Sequence, residues 1–454
     1  MSLTVFRALR LVTLPISALI SATVLAQPGD SVPEAENFRH NHKLTAQVGF
    51  GPEDTVVGAD EAFFTALRYQ PTLRWFWPDS DWPTWEVFTR TWFDYQSSQN
   101  QTALLEDNRT QVDGTSAELR EFYVKRHRLF GHVGWSLNIG RQNYTSDYGI
   151  WWDDSLESVR LIFNDDSREA FIALGQRFHT YNTSTGSLEA NQEDRLYLFG
   201  QYRYRWTGQH WAGLRAMQEV DYGDAEIGSP ATTATRVGIY LNGSTDPLQD
   251  QVWDYRLDTA VLSGSAEQAD GTDDSVSGWA VIAEGGTQFE EVSGRPRLGL
   301  RLGITDTASS PFDGFYLNDM QSTRVLNEDR PATGLSGSYD RLNFSNLLFY
   351  GVIAELEPAR RTHWESGLFQ VNCRDDRGLL PMGPVLEGRS QQCRDSDVGQ
   401  VLDTRLTYNV YPFVYGTRTF NWQWVLSATF YRAGPAIDTD KDDFQISLST
   451  ELVF

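Results

Sequence analysis

Cysteine, lysine and methionine are nearly missing from this chain: 454 residues contain two cysteines, four methionines and only three lysines, Lys43, Lys125 and Lys441. No Cys-x-x-Cys pair, paired-histidine zinc motif or glycine-rich phosphate loop occurs, so neither a metal nor a cofactor is expected. The seven histidines are scattered, with His127 and His132 bracketing a turn and His179, His210 and His363 near strand ends. No catalytic constellation stands out, and an enzyme is not expected. Asp273 with Asp274, and Asp440 with Asp442 and Asp443, match no calcium loop of alternating ligands and are expected in solvated turns. Beyond residue 26 no run of about 18 apolar residues is present, which excludes a helical membrane span.

At the N-terminus, Arg7 and Arg10 precede an apolar stretch from Leu11 to Leu25, and Val24-Leu25-Ala26 places small side chains before Gln27. This order of charge, apolar core and small residues is that of a secretory signal peptide. Residues 1–26 are therefore expected to be removed, leaving 27–454 as a single domain. Secretion without a helical anchor leaves a soluble protein or a membrane β-barrel.

Alternation decides between them. From Thr65 to Trp77, Leu67, Tyr69, Leu73, Trp75 and Trp77 share one face, with Arg68, Gln70, Thr72 and Arg74 on the other; Pro71 and Phe76 interrupt the pattern. Leu196, Leu198, Tyr202, Tyr204 and Trp206 oppose Arg195, Gln201, Arg203 and Arg205, with Tyr197 and Phe199 breaking the wet face. Leu298, Leu300, Leu302 and Ile304 oppose Arg297 and Arg301, and Leu406, Tyr408 and Val410 oppose Asp403, Arg405 and Thr407. Segments of this kind number about 18. A soluble sandwich could use such strands, but arginine at so many interior positions fits a lumen better than a surface. A single antiparallel transmembrane β-barrel explains both faces, with apolar side chains in lipid and polar ones in a wet interior.

Long linkers rich in Asp, Glu, Ser, Thr, Gly and Asn, such as Gln96–Gly114, Ser263–Asp274, Thr305–Tyr339 and Asn372–Ser396, alternate with short joins such as Gly208–Gln209. The pattern predicts long extracellular loops and short periplasmic turns in a bacterial outer membrane. Tyr69, Trp75, Trp77, Tyr204, Trp206, Trp211, Trp422 and Trp424 lie toward strand ends, as lipid-interface aromatics do. Phe444, Ile446, Leu448, Leu452 and Phe454 share one face, so the last segment finishes in a strand on a lipid-facing Phe. Cys373 and Cys393 lie 20 residues apart in one loop and favour a disulfide in an oxidising compartment, although two free thiols satisfy the same sequence.

The net charge of −23 resides largely in loops, whereas mid-strand charge is mostly arginine. An arginine fork suits carboxylates better than a mobile ammonium does. Inward arginines either conduct anions or pair with inward acids, as Arg256 would with Asp254 or Asp258.

Arg120-Glu121-Phe122-Tyr123-Val124, then Leu137-Asn138-Ile139-Gly140-Arg141-Gln142-Asn143, then Trp151-Trp152-Asp153-Asp154-Ser155-Leu156-Glu157-Ser158-Val159-Arg160 and Ala173-Leu174-Gly175-Gln176-Arg177-Phe178 form an ordered set. Asp397-Val398-Gly399-Gln400-Val401-Leu402-Asp403 follows near the end. Together they resemble the alginate export porins of the outer membrane, over most of the chain but weakly between Tyr222 and Asp340. The resemblance implies an 18-stranded barrel and passive export of an acidic polysaccharide, with periplasmic export components as partners and no nucleic acid. It nominates Arg120, Arg141, Arg160, Arg177 and Arg405 as lumen residues, joining Arg68, Arg74, Arg203, Arg205, Arg297 and Arg301 from parity. Phe122 and Val124 share Arg120's nominal face, and Leu137 and Ile139 share Arg141's, which a β-bulge would reconcile. Two other functions fit the same pattern: a general anion-selective porin, or a barrel whose loops bind a surface partner while the lumen is blocked.

Overall fold

A strand with one apolar and one polar face has to bury backbone hydrogen bonds on both edges when it sits in lipid, and only closure does that for every strand. In the computed structural model the chain does so. Residues 37–52, 63–77, 84–97, 114–183, 188, 194–223, 231–245, 249–267, 272–309, 313–318, 320–322, 324–327, 330–335, 342, 344–381, 392–415, 418–437 and 443–454 are described; the proposed signal peptide lies outside them.

The strands in chain order are β1 (Phe38–Phe50), β2 (Phe63–Trp77), β3 (Trp85–Gln96), β4 (Gly114–His127), β5 (Trp135–Thr145), β6 (Asp153–Asn164) and β7 (Arg168–Gln176). There follow β8 (Arg195–Thr207), β9 (His210–Asp221), β10 (Ala231–Ser244), β11 (Gln251–Glu267), β12 (Asp273–Phe289) and β13 (Arg297–Thr305). Next come a small hairpin of β14 (Arg324–Asn327) and β15 (Arg330–Gly334), then β16 (Leu347–Ala359), β17 (Thr362–Cys373) and β18 (Asp397–Asn409). The short β19 (Phe413–Tyr415) precedes β20 (Arg418–Ala433) and β21 (Asp443–Val453). Eighteen of these form a closed antiparallel barrel, each paired with its neighbour in sequence order apart from β14, β15 and β19. β21 returns to β1, with Lys43 opposite Val453 and Phe50 opposite Ile446, so the barrel has no free edge.

The outer face is apolar. Leu298, Leu300, Val352, Leu368 and Leu402 are exposed on it, and an aromatic chain runs across the strands from β19 to β3. It runs Phe413, Phe420, Phe454, His42, Tyr69, Phe93, with successive ring centroids 4.9–6.0 Å apart. Trp211 is a correction to the expected girdle. It stands on the inner face of β9, where Arg203 and Arg205 stack on it at 4.7 and 5.4 Å.

A β-bulge in β4 and a positive-φ glycine in β5 shift the strand parity. In β4, Arg90 faces Glu121 while Thr91 faces Leu119, leaving Arg120 as the extra residue. In β5, Gly140 takes φ 129°, a conformation closed to residues with a Cβ, and a Cβ there would lie 2.3 Å from the Phe122 carbonyl oxygen. Phe122 and Ile139 therefore face lipid while Arg120 and Arg141 are buried inside.

Beyond Phe122 and Arg141 β4 and β5 separate. The long-loop half of β4 takes a new partner, with Leu119 N–H donating to Tyr181 O and Thr183 N–H to Ala117 O. The ends of β5 and β6 turn inward, which is why Asp153, Asp154, Ser155 and Leu156 are all buried although strand parity would expose every second one. Ser263–Asp274, expected as a loop, is largely strand, because β11 and β12 stay paired out to Glu267 and Asp273. Backbone pairing continues there without an apolar face. Cys373, the last residue of β17, is joined to Cys393 in the β17–β18 connection.

Candidate functional site

The interior is a mixed-charge lattice. Strand parity aims most of these arginines inward, local irregularities do so for Arg120 and Arg141, and most meet a carboxylate from another strand. Arg68 forks onto Asp94 at 2.7 and 2.9 Å and lies 3.8 Å from the Trp92 ring. Arg120 reaches Glu118 at 3.2 Å and Asp154 at 3.0 Å and also stacks on Trp92. Arg141 holds Glu157 at 2.9 Å and the Leu119 carbonyl, while Arg177 pairs with Asp154. Arg203 donates to Glu169 at 2.7 Å, and Arg205 to the Asp166 carbonyl.

Arg297 is the densest node, bonded to Asp254 at 2.6 Å, Glu284 at 3.0 Å and Glu355 at 2.8 Å. Arg301 shares Glu284 at 2.9 Å and donates to the Leu335 carbonyl. Arg74 is half-exposed, 4.0 Å from Glu86 and over the Phe88 ring. Arg405 is buried on β18, with Glu365 and Ser427 opposite it on the flanking strands.

Several interior cations were not nominated from sequence. Arg215 pairs with Asp258, Arg236 with Glu219, and Arg324 with Asp153. Arg215 and Arg236 share their faces with Met217, Ala234 and Tyr240, which hides the wet side of those strands. Arg256 does not take the acids beside it in sequence, because Asp254 binds Arg297 and Asp258 binds Arg215.

Among the inward cations without an ion pair to a described residue are Lys125, Arg256 and Arg160, the last lying over the Tyr144 and Phe171 rings at 5.0 and 4.2 Å. All three lie in the half of the barrel nearer the short turns.

The half nearer the long loops is filled. Residues 146–152, between β5 and β6, and described parts of the β13–β16 connection fold into the lumen. Their Tyr148, Ile150, Trp151, Trp152, Phe315, Met320 and Phe344 join inward Phe171, Phe199, Met217, Ala260 and Phe349 in one buried cluster. Tyr197 and Phe199, which break the polar face of β8, belong to this cluster. Polar ties fix the filling in place: Trp151 donates to Asp258 at 2.8 Å, Asn318 to Glu219 at 2.9 Å, and Arg324 to Asp153 at 2.8 and 2.5 Å. Burial, with Glu284 beside it, holds the Tyr148 hydroxyl well above the ordinary tyrosine pKa, so it stays a neutral donor.

Residues 29–443 match the alginate export family model. The chain belongs to the alginate export family. It is a barrel of the bacterial outer membrane. A 126-residue segment is 35% identical to the alginate production protein AlgE of Pseudomonas syringae pv. tomato, and an 88-residue segment is 36% identical to that of Azotobacter vinelandii. These matches cover 28% and 19% of this chain and span only 26% and 18% of those proteins. Among solved structures, OpdK with vanillate and OccK8, both of Pseudomonas aeruginosa, superpose with TM-scores of 0.59 at 11% identity. Each superposition covers 92% of this chain and 99% or 98% of the other. That likeness is one of fold.

Proposed function

We propose that this family member is a transport channel rather than an enzyme, passing an acidic polysaccharide of the alginate type from the periplasm outward. The family match across a closed barrel carries the proposal. Anion preference is assigned to the periplasmic half of the lumen, where Lys125, Arg160 and Arg256 form no direct ion pair among the described residues, although Glu86 and Glu284 stand opposite Lys125 and Arg256 in register. Ion pairs elsewhere cancel most of the interior field. Unpaired charge inside a low-dielectric wall acts over the whole cross-section, whereas loop charge outside is screened within about 8 Å.

The test is the reversal potential across a salt gradient in planar bilayers, repeated with an oligouronate on one side. The unmodified channel is expected to prefer anions and to be blocked by the oligouronate. Lys125→Glu with Arg256→Glu should lower the anion-to-cation permeability ratio by about tenfold, about 1.4 kcal/mol. Arg360→Glu, on an exposed turn, should leave it nearly unchanged. Cation preference in the native channel, or current indifferent to the oligouronate, overturns the proposal.

A further inference from the structure

Charge on the lipid-facing side of a barrel is costly, because a cation in hydrocarbon has lost its water. Outward parity on β20 nevertheless gives Arg418 with Phe420, Trp422 and Trp424, and on β1 it gives His40 and His42 with Phe38 and Leu44. β21 lies between these strands, and its Phe454 exchanges two backbone hydrogen bonds with His42, so the basic groups meet at the closure of the barrel. Arg418 opens β20 beside the short join to β19, and His40 is the third residue of β1; both stand at the short-turn rim. Tyr69, outward on β2, lies further into the membrane, eight residues from Trp77 at the end of its strand.

A single row of hydrogen bonds connects the four. Arg418 Nη2 is 3.3 Å from His40 Nε2, His40 Nδ1 is 3.0 Å from His42 Nε2, and His42 Nδ1 is 2.8 Å from the Tyr69 hydroxyl. A guanidinium only donates, so the row has one sense. His40 Nε2 accepts, its Nδ1–H donates to His42, and the His42 Nδ1–H donates to the Tyr69 oxygen. The Tyr69 O–H is left over as a donor, with no acceptor among the described residues. Arg418 has no carboxylate partner among the described residues either, and no acidic side chain takes an outward position on β20, β21, β1 or β2.

Donors are thus open at both ends of the row, and one end carries a permanent charge. A rim arginine without a ligand would extend into water, whereas Arg418 lies along the wall to reach His40. In the membrane the available acceptors are the phosphate of a glycerophospholipid at the rim and its ester carbonyls just below. Stacked rings flank the row, Phe420 on Phe454 at 5.2 Å and Tyr69 on Phe93 at 6.0 Å, and offer an acyl chain a flat bed.

We infer that the barrel closure holds one anionic glycerophospholipid of the periplasmic leaflet, its phosphate on Arg418 and an ester carbonyl on the Tyr69 hydroxyl, with His40 and His42 fixing the two donors. A lipid of net negative charge is preferred to a zwitterionic one, because no acidic side chain on this face balances Arg418 or would receive a headgroup cation.

The test is native mass spectrometry of the full-length barrel, delipidated in detergent and given phosphatidylglycerol or phosphatidylcholine with the same acyl chains. The native barrel is expected to hold one phosphatidylglycerol about tenfold more tightly than phosphatidylcholine, and Arg418→Gln to lose that preference. Tyr69→Phe should weaken both lipids about threefold. Arg360→Gln, which removes an exposed arginine from another short turn, should change neither. Equal retention of the two lipids by the native barrel, or undiminished phosphatidylglycerol binding by Arg418→Gln, overturns the inference. Displacement of the lipid by inorganic phosphate alone would assign the row to a free anion and overturn the lipid site.

Discussion

An Arg297→Glu variant is expected to assemble poorly or to unfold at much lower denaturant than the native barrel. Arg297 is the shared cation of Asp254, Glu284 and Glu355, three carboxylates from three different strands. Removing one partner of a buried pair costs about 3–5 kcal/mol, because the charge left behind has lost its water and gained nothing. Glutamate goes further and sets a fourth carboxylate among the three. Glu284 retains Arg301 at 2.9 Å, so the damage should centre on Asp254 and Glu355. Arg256→Glu, on the same wall but without an ion pair to break, should cost far less. The measurement is the midpoint of denaturant unfolding in detergent for the two variants side by side; equal midpoints would show that the Arg297 node contributes nothing particular.

An Arg324→Ala variant should raise single-channel conductance severalfold. Its guanidinium bonds Asp153 at 2.8 and 2.5 Å, and Ser322 Oγ adds a third bond to the same carboxylate at 2.5 Å. Without Arg324 the Asp153 carboxylate keeps one hydroxyl bond in a buried site, a loss of about 3–5 kcal/mol. The nearby inward segment is held otherwise by packing, and each buried Phe, Met or Leu is worth about 1.5–3 kcal/mol. With several such side chains in the filling, complete expulsion is out of thermal reach. Detachment near Arg324 is not. Restoring neutrality with Arg324→Leu and Asp153→Asn together should return conductance toward the native value, since apolar packing replaces the ion pair. Conductance unchanged in Arg324→Ala would remove the ion pair from any part in closing the lumen.

The barrel was legible because its information is local. Period-two alternation around Arg68, Arg203, Arg297 and Arg405 reports two environments a few ångströms apart, and every one of these side chains lies on the inner face. Arg120 and Arg141 read ambiguously for physical reasons: a bulge adds Arg120 without altering composition, and Gly140 turns the backbone at a positive φ just before Arg141, so parity fails where each strand bends. Partners were harder to read. Arg297 finds Asp254 and Glu355 at separations of 43 and 58 residues, which periodicity within one strand cannot report. The filling of the lumen was hidden more deeply. Phe315, Met320 and Phe344 follow no period in a mostly polar stretch, and only the closed wall around them supplies the surface they bury against.

The parting of β4 from β5 has a mechanical consequence. Those two strands share only six residue pairs, Phe122 to His127 against Arg141 to Ser136, whereas β11 and β12 share seventeen. A ring of hydrogen-bonded staves under lateral pressure yields where its joint is shortest. Changes in bilayer thickness or tension should therefore be taken up as shear at the β4–β5 joint, flattening the cross-section there, while the β11–β12 side keeps its curvature like a stiff spine. The loop segment at Tyr181 and Thr183, tied to β4 rather than to β5, would ride with one lip of that joint. The barrel is in this sense an elastic body with a grain, its compliance set by where two neighbouring strands lose their pairing.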